Sequence, residues 1–150
     1  MPNVNEFNTM NWIVVYDPDR DIESELEPDV CGKWMMYFSE DEQAWAHDMI
    51  EGAITSGACG SAKMSNSLNM MVYGGTGVAC FYIVGTDDEQ HKTLLSYMLD
   101  QGLFPHDADG RLCDEPFKFD WQTAAGQYGD SFVPEITLSD YVDLDTGELL

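Results

Sequence analysis

Gly77-Val78-Ala79-Cys80-Phe81-Tyr82-Ile83-Val84-Gly85-Thr86-Asp87-Asp88-Glu89 is the stretch that decides the fold class. Val78 to Val84 is an unbroken apolar run of seven, rich in β-branched and aromatic residues, and Gly85 ends it. That is the pattern of a buried strand. Thr86 with Glu89 three positions later reads as a capping box, in which hydroxyl and carboxylate each satisfy a free backbone N–H of the helix start. Leu94, Leu95 and Met98 follow at helical spacing, and Gly102 stands where a helix stops in a left-handed turn. A buried strand feeds a capped amphipathic helix.

The same design occurs upstream. Lys33-Trp34-Met35-Met36-Tyr37-Phe38 reads as a strand, and Ser39-Glu40-Asp41-Glu42 repeats the capping box 47 residues before Thr86. Trp45, Met49 and Ala53, with Ala46, Ile50 and Ile54, make an apolar stripe, and Gly57 is the stop. Trp34 and Trp45 are thereby expected in the core. His47 and His91 fall beside or opposite the stripes and are expected at the surface. Two strand–cap–helix units predict an α+β domain.

One domain of 150 residues is long enough to bury about 70% of its unfolded surface. With 44% hydrophobic and 12% aromatic residues, the chain has the means to fold. The N-terminal MPNVNEFNTMNW has neither a basic nor an apolar segment of a secretory signal, and no apolar run approaches the length of a membrane span. Cys31, Cys59, Cys80 and Cys113 are widely spaced without a C-x-x-C, so they read as reduced thiols of a cytoplasmic protein. No cofactor and no metal ion are expected.

The charge is the unusual quantity. Twenty-eight acids face six bases, a formal charge of −22, and residues 52–86 contain no acid at all. Such a charge repels phosphate backbones and argues against direct nucleic-acid binding. Three readings remain: a solubilising surface, salt adaptation, or an acidic face offered to a basic partner. Asp17, Asp19, Asp21, Glu23, Glu25, Glu27 and Asp29 alternate almost strictly. On an extended chain they would form a comb of carboxylates ~6–7 Å apart, which suggests nucleic-acid mimicry. Pro18 and Pro28 bracket the run, and a solvated acidic loop over 17–31 is the plainer alternative. The D-x-D spacing lacks the glycine and terminal glutamate of an EF-hand.

In chain order, residues 1–10 read as a flexible polar tail and Asn11 to Tyr16 as the first strand. Gly57 to Ser65 is a turn leading into a short strand, and Asn66 to Tyr73 a further strand or loop. Gly74-Gly75-Thr76-Gly77 lacks the G-K-[ST] of a phosphate loop. Pro116 to Asp120 alternates as a short strand, followed by a compact polar segment from Gln122 to Gly129. Residues 130–150 read as an acidic C-terminal extension, either a last strand or a loosely held tail. No nucleophile sits in an elbow, and 28 acids form carboxylate pairs by chance, so the chain does not read as an enzyme.

Gly32-Lys33-Trp34, Trp45, Ala62-Lys63-Met64-Ser65, Ala79 to Val84, Asp87-Asp88, Leu99 to Gly102, Phe117-Lys118-Phe119-Asp120 and Gln122-Thr123-Ala125-Gly126-Tyr128 occur in an order that resembles the basophilic-leukaemia-expressed protein family. The likeness spans roughly residues 31–129. It implies a fold similar to the cap-binding translation initiation factor 4E: a curved, mainly antiparallel sheet with two or three helices packed on one face. The two units alone are equally compatible with a ferredoxin-like α+β fold. The family brings no established activity.

Two functions from different classes follow. In the first, the chain is a non-catalytic acidic binding protein. Asp17, Asp19, Asp21, Glu23, Glu25, Glu27, Asp29, Glu40, Asp41, Asp87 and Asp88 would cover a basic surface, such as the groove of a nucleic-acid-binding enzyme that it inhibits. In the second, an aromatic-lined concave sheet binds a small ligand or nucleotide of the cap-like kind, anchored by Lys33, Lys63, Lys118 and Tyr128. The plainer alternative for these lysines is pairing with the abundant carboxylates.

Overall fold

Two nine-residue strands, β3 (Cys31–Ser39) and β5 (Thr76–Val84), pair antiparallel over their whole length, from Cys31 opposite Val84 to Ser39 opposite Thr76. Around them the computed structural model, which describes residues 3–128 and 131–150, builds an open seven-stranded antiparallel sheet. Met1, Pro2, Gly129 and Asp130, from the anticipated tail, polar segment and extension, lie outside the described residues. The remaining strands are β1 (Asn5–Asn8), β2 (Trp12–Tyr16), β4 (Ser61–Ser65), β6 (Pro116–Phe119) and β7 (Ile136–Thr137). Their order is β1-β2-β4-β5-β3-β6-β7. The four-stranded βαββαβ ferredoxin-like alternative does not describe it.

The helices α2 (Gln43–Thr55) and α4 (Asp88–Asp100) cover one face of the sheet. Directly opposed residues of an antiparallel pair share a face. Trp34, Met36 and Phe38 of β3 therefore lie with Phe81 and Ala79 of β5 on the covered side. Ala46, Ile50, Ala53 and Ile54 of α2 and Leu94, Leu95 and Met98 of α4 are fully buried against them. Each large side chain so buried contributes about 1.5–3 kcal/mol. The Tyr97 hydroxyl donates to the Met49 carbonyl at 2.7 Å and ties the two helices together.

The first capping box forms as read: the Ser39 N–H donates to Glu42 Oε1 at 2.9 Å, over a single 3-10 turn at Glu40–Glu42. The second does not form as a box, and the cap lies one residue later than expected. Asp87, not Thr86, caps α4, its Oδ1 accepting from the N–H groups of Glu89 and Gln90 at 3.0 and 3.3 Å. A carboxylate suits the positive helix start better than a hydroxyl. Gly102, at φ +68, ends α4 as predicted, and Leu103 N–H returns to the Met98 carbonyl at 3.0 Å.

Trp45 and His91 exchange their expected places. Trp45 is 37% exposed, because Ala46, Ile50, Ala53 and Ile54 make the buried stripe and residue 45 sits one step around the helix from it. His91 lies one turn before Leu94 and Leu95 on the inner face of α4 and is wholly buried. Both its nitrogens are satisfied: Trp34 Nε1–H donates to Nδ1 at 3.1 Å, and Nε2 reaches the Gly85 carbonyl at 2.7 Å. That network fixes the neutral Nε2–H tautomer. His47 is half-exposed, and its Nε2 meets Glu6 and Glu51 at 2.5 and 3.2 Å, fastening β1 to α2.

Four further segments depart from their sequence reading or decide between the alternatives it left. Residues 5–8 of the anticipated tail form β1, because their backbone completes the free edge of β2. Residues 66–73 form neither strand nor loop but a short helix, α3 (Ser67–Val72), capped by Asn66, whose side chain accepts from Asn69 N–H at 3.0 Å. The acidic run is not an extended comb: Asp21 caps a helical turn, α1 (Ile22–Glu25), so alternate acids no longer share a side. The C-terminal extension takes the strand alternative in part, as β7, and is no loose tail, since Leu138, Val142 and Leu144 are buried in the main core.

Candidate functional site

The second face of the sheet carries no long helix, and strand alternation decides what it displays. Opposite the buried parity lie Trp12 on β2, Lys63 on β4, Val78, Cys80 and Tyr82 on β5, Lys33, Met35 and Tyr37 on β3, and Lys118 on β6. The register sets Lys33 directly opposite Lys118 on one side and opposite Tyr82 on the other, while Lys63 faces Cys80. Lys33 and Lys118 thus stand side by side on neighbouring strands, ~5 Å per strand step, and Lys63 lies across β5 from them, two residues out of their row.

They border a cleft of about 500 Å³ lined also by Trp12, Tyr73, Tyr128 and Phe132. A second hollow of about 410 Å³ shares Trp12, Tyr37, Tyr73 and Val78 with it and extends it toward Asn69 and Ser65. The helix α5 (Asp120–Ala124) supplies a carboxylate to Lys33. Lys33 Nζ donates to Asp120 Oδ1 at 3.1 Å and to Thr123 Oγ1 at 3.3 Å. Among the described residues neither Lys63 nor Lys118 has a carboxylate within ion-pair range. Lys63 Nζ lies over the Trp12 ring at 4.0 Å, and Lys118 Nζ over Tyr128 at 4.1 Å and Phe132 at 5.1 Å. Burial, and then the neighbouring Lys33 charge, lowers the pKa of both ammonium groups. Burial likewise raises the Cys80 thiol and the Tyr82 phenol.

Lys33, Lys63, Lys118 and Tyr128 are therefore brought together. The expected neutralisation by carboxylates occurs at Lys33 alone among the described ion pairs. Trp12, which the sequence offers as a stacking surface for a base, is among the lining residues. Sequence reading missed Tyr37, Tyr73, Tyr82, Thr123 and Phe132. The parity of Tyr37 with Lys33 along β3, and the pairing of Tyr82 with Lys33, mark two of them.

The acidic candidates do not converge on one surface. Asp17, Asp19, Asp21, Glu23, Glu25, Glu27, Asp29, Asp87 and Asp88 lie at the end of the sheet where β2 and β5 finish and β3 begins. Glu40 and Asp41 follow the other end of β3, roughly 26 Å away at ~3.3 Å per residue. Several acids have local work. Asp17 is 6% exposed and accepts from Asp19 N–H, Glu25 pairs with Arg20, Asp87 caps α4, and Asp88 accepts from the Tyr141 hydroxyl at 2.6 Å. Asp41 accepts from Ser39 Oγ, which lowers its pKa. Asp19, Asp21, Glu23, Glu27, Asp29 and Asp88 are exposed.

No family model matches the chain, and no curated protein matches it significantly.

Proposed function

We propose that this chain is a binding protein whose second sheet face, away from α2 and α4, takes up a small anion bearing a flat, apolar part, such as a nucleotide or a sugar phosphate. The observation that carries the reading is the pair Lys63 and Lys118. In a chain with 28 acids, both ammonium groups border an aromatic cleft with no carboxylate partner among the described residues. Holding a cation there without a counter-charge costs desolvation energy, which an anionic ligand offsets. The aromatic rings offer stacking surface to a planar group. At −22 overall, the molecule repels a long polyanion but admits a single small one at this local positive site. In an initiation-factor-4E-like arrangement, the sheet face away from the long helices would be free for a cap-like ligand.

Thermal shift with nucleotides, methylated guanosines and sugar phosphates tests it, run in parallel on Lys63→Met/Lys118→Met. A ligand at 100 times its dissociation constant adds about 2.7 kcal/mol. The expected result is a shift in the native protein that the double variant lacks. No shift with any of them at millimolar concentration refutes the reading.

A second reading keeps the acidic end of the sheet as a recognition surface for a basic protein, for example a nucleic-acid enzyme inhibited by it. It is supported by the exposed Glu23, Glu27, Asp29 and Asp88, which gather near that end. Neutralising these four should abolish salt-sensitive capture of basic proteins from lysate, while neutralising Asp100, Asp109, Glu135 and Glu148 should not. Equal effects would leave net charge as the only agent.

A further inference from the structure

The helix α3 is apolar on its outer face. Leu68, Met71 and Val72 stand at i, i+3 and i+4, the spacing that shares one helical face, and are 47, 74 and 71% exposed. Inward-facing Asn69 and Met70 are buried, so the helix is anchored and its apolar face still points to solvent. Tyr73, at its end, is 69% exposed and continues the patch to the cleft. Single exposed apolar residues are ordinary, but four within six residues form a patch that needs a partner.

Charge identifies the partner. The patch belongs to the acid-free stretch 52–86, yet acids stand at its border. Ser67 Oγ donates to Gln43 Oε1 at 3.2 Å, which places the start of α3 beside the start of α2. The Glu40 carboxylate lies against Gly75, just beyond the patch. Glu40, Asp41 and Glu42 are all exposed there. We infer that α3 and this acidic rim form a docking surface for a basic amphipathic helix of a protein partner. Its apolar stripe covers Leu68, Met71 and Val72, and its flanking lysines or arginines meet Glu40 to Glu42. A second copy of this chain fits less well, because a two-fold contact would press two such rims and two charges of −22 together. An anionic membrane surface is repelled on the same ground.

The surface meets the lysine cleft at Tyr73, while Leu68, Met71 and Val72 do not line that cleft and stand apart from the acidic end near residues 17–29. Fluorescence anisotropy with a labelled leucine/lysine peptide of helical periodicity tests it, against a scrambled peptide of equal composition. The native protein should bind the amphipathic peptide at least about tenfold more tightly than the scrambled one, and that preference should persist in 0.5 M salt, at about the ionic strength where surface charge is screened within several Å. Met71→Ser/Val72→Ser should abolish the preference. Both side chains are mostly in water, so the fold should be unchanged by circular dichroism. Glu40→Gln/Asp41→Asn/Glu42→Gln should weaken binding only at low salt. Equal affinity for both peptides, or an unaffected Met71→Ser/Val72→Ser variant, overturns the inference. So does a dimer in sedimentation that this variant dissociates, or binding to anionic vesicles that it abolishes.

Discussion

The buried pair of Trp34 and His91 should behave as a unit, and a double-mutant cycle with a pH arm exposes it. Trp34→Phe keeps an aromatic ring against Phe104 and Phe117 but removes the indole N–H, leaving His91 Nδ1 without a donor at a wholly buried position. An orphaned buried polar atom costs about 1–3 kcal/mol. The smaller ring adds a cavity, and complete truncation to alanine, about 3–5 kcal/mol, sets the ceiling. Trp34→Phe should therefore cost about 2–4 kcal/mol. His91→Leu orphans the indole N–H and the Gly85 carbonyl at similar cost. In the double variant, donor and acceptor vanish together, so its cost should fall ~1–2 kcal/mol short of the sum of the singles. Urea melts at neutral pH measure all four corners. Additivity within about 0.5 kcal/mol refutes the coupling.

The pH arm follows from the direction of the His91 shift. Burial foremost lowers its pKa below the ordinary 6.5, against smaller upward effects of the Gly85 carbonyl, Asp88 and Asp87. Tyr141, stacked on the ring at 4.7 Å, is itself raised and stays neutral in this range. The unfolded chain then binds the proton first as pH falls. The contribution of His91 to stability is whole above about 6.5 and is lost as pH falls from there toward the depressed folded value. His91→Leu should lose less stability than the native protein between pH 7.5 and 5.5; parallel loss refutes the assignment.

Three further outcomes are expected. Gly32→Ala should cost several kcal/mol and weaken ligand binding, because its Cβ would stand 2.5 Å from Phe117 ring carbons and 2.7 Å from the Lys118 carbonyl, on the strand that positions Lys118; chemical denaturation reads the loss, and a neutral variant would contradict this packing. Truncation after Thr137 should abolish cooperative unfolding by circular dichroism, since burying Leu138, Val142 and Leu144 contributes roughly 5–8 kcal/mol, about the whole stability of a small domain. Anion affinity measured by calorimetry should begin to fall on the alkaline side below the ordinary lysine value of 10.5, because Lys63 and Lys118 lose their protons early; their desolvation opposes folding of the unliganded protein below the depressed values and is relieved as pH rises through them.

The two strand–helix units, their glycine stops and the α+β class are legible in the sequence, because each carries its signal within a few consecutive residues. The apolar run Val78 to Val84, the Ser39–Glu42 cap and the stop at Gly102 can be recognised without knowing which distant segments pair or pack with them. Lys33, Lys63, Lys118 and Tyr128 were also visible as a set, though only as four positions in separate segments. The fold alone brings them to one face. Their meeting depends on the register of β3 against β6 and of β4 against β5, and a slip of one residue would turn each lysine to the other face. Local pattern misplaced His91 and Trp45 because a helix face is defined by what packs on it, and His91 was bought a buried site by Trp34 from 57 residues away. The comb at 17–29 failed for the opposite reason: alternation is only a pattern on extended chain, and Asp21 starts a helical turn there. Residues 5–8 and 138–144 carry little regularity of their own, and the sheet edge and the core that order them are assembled from the rest of the chain.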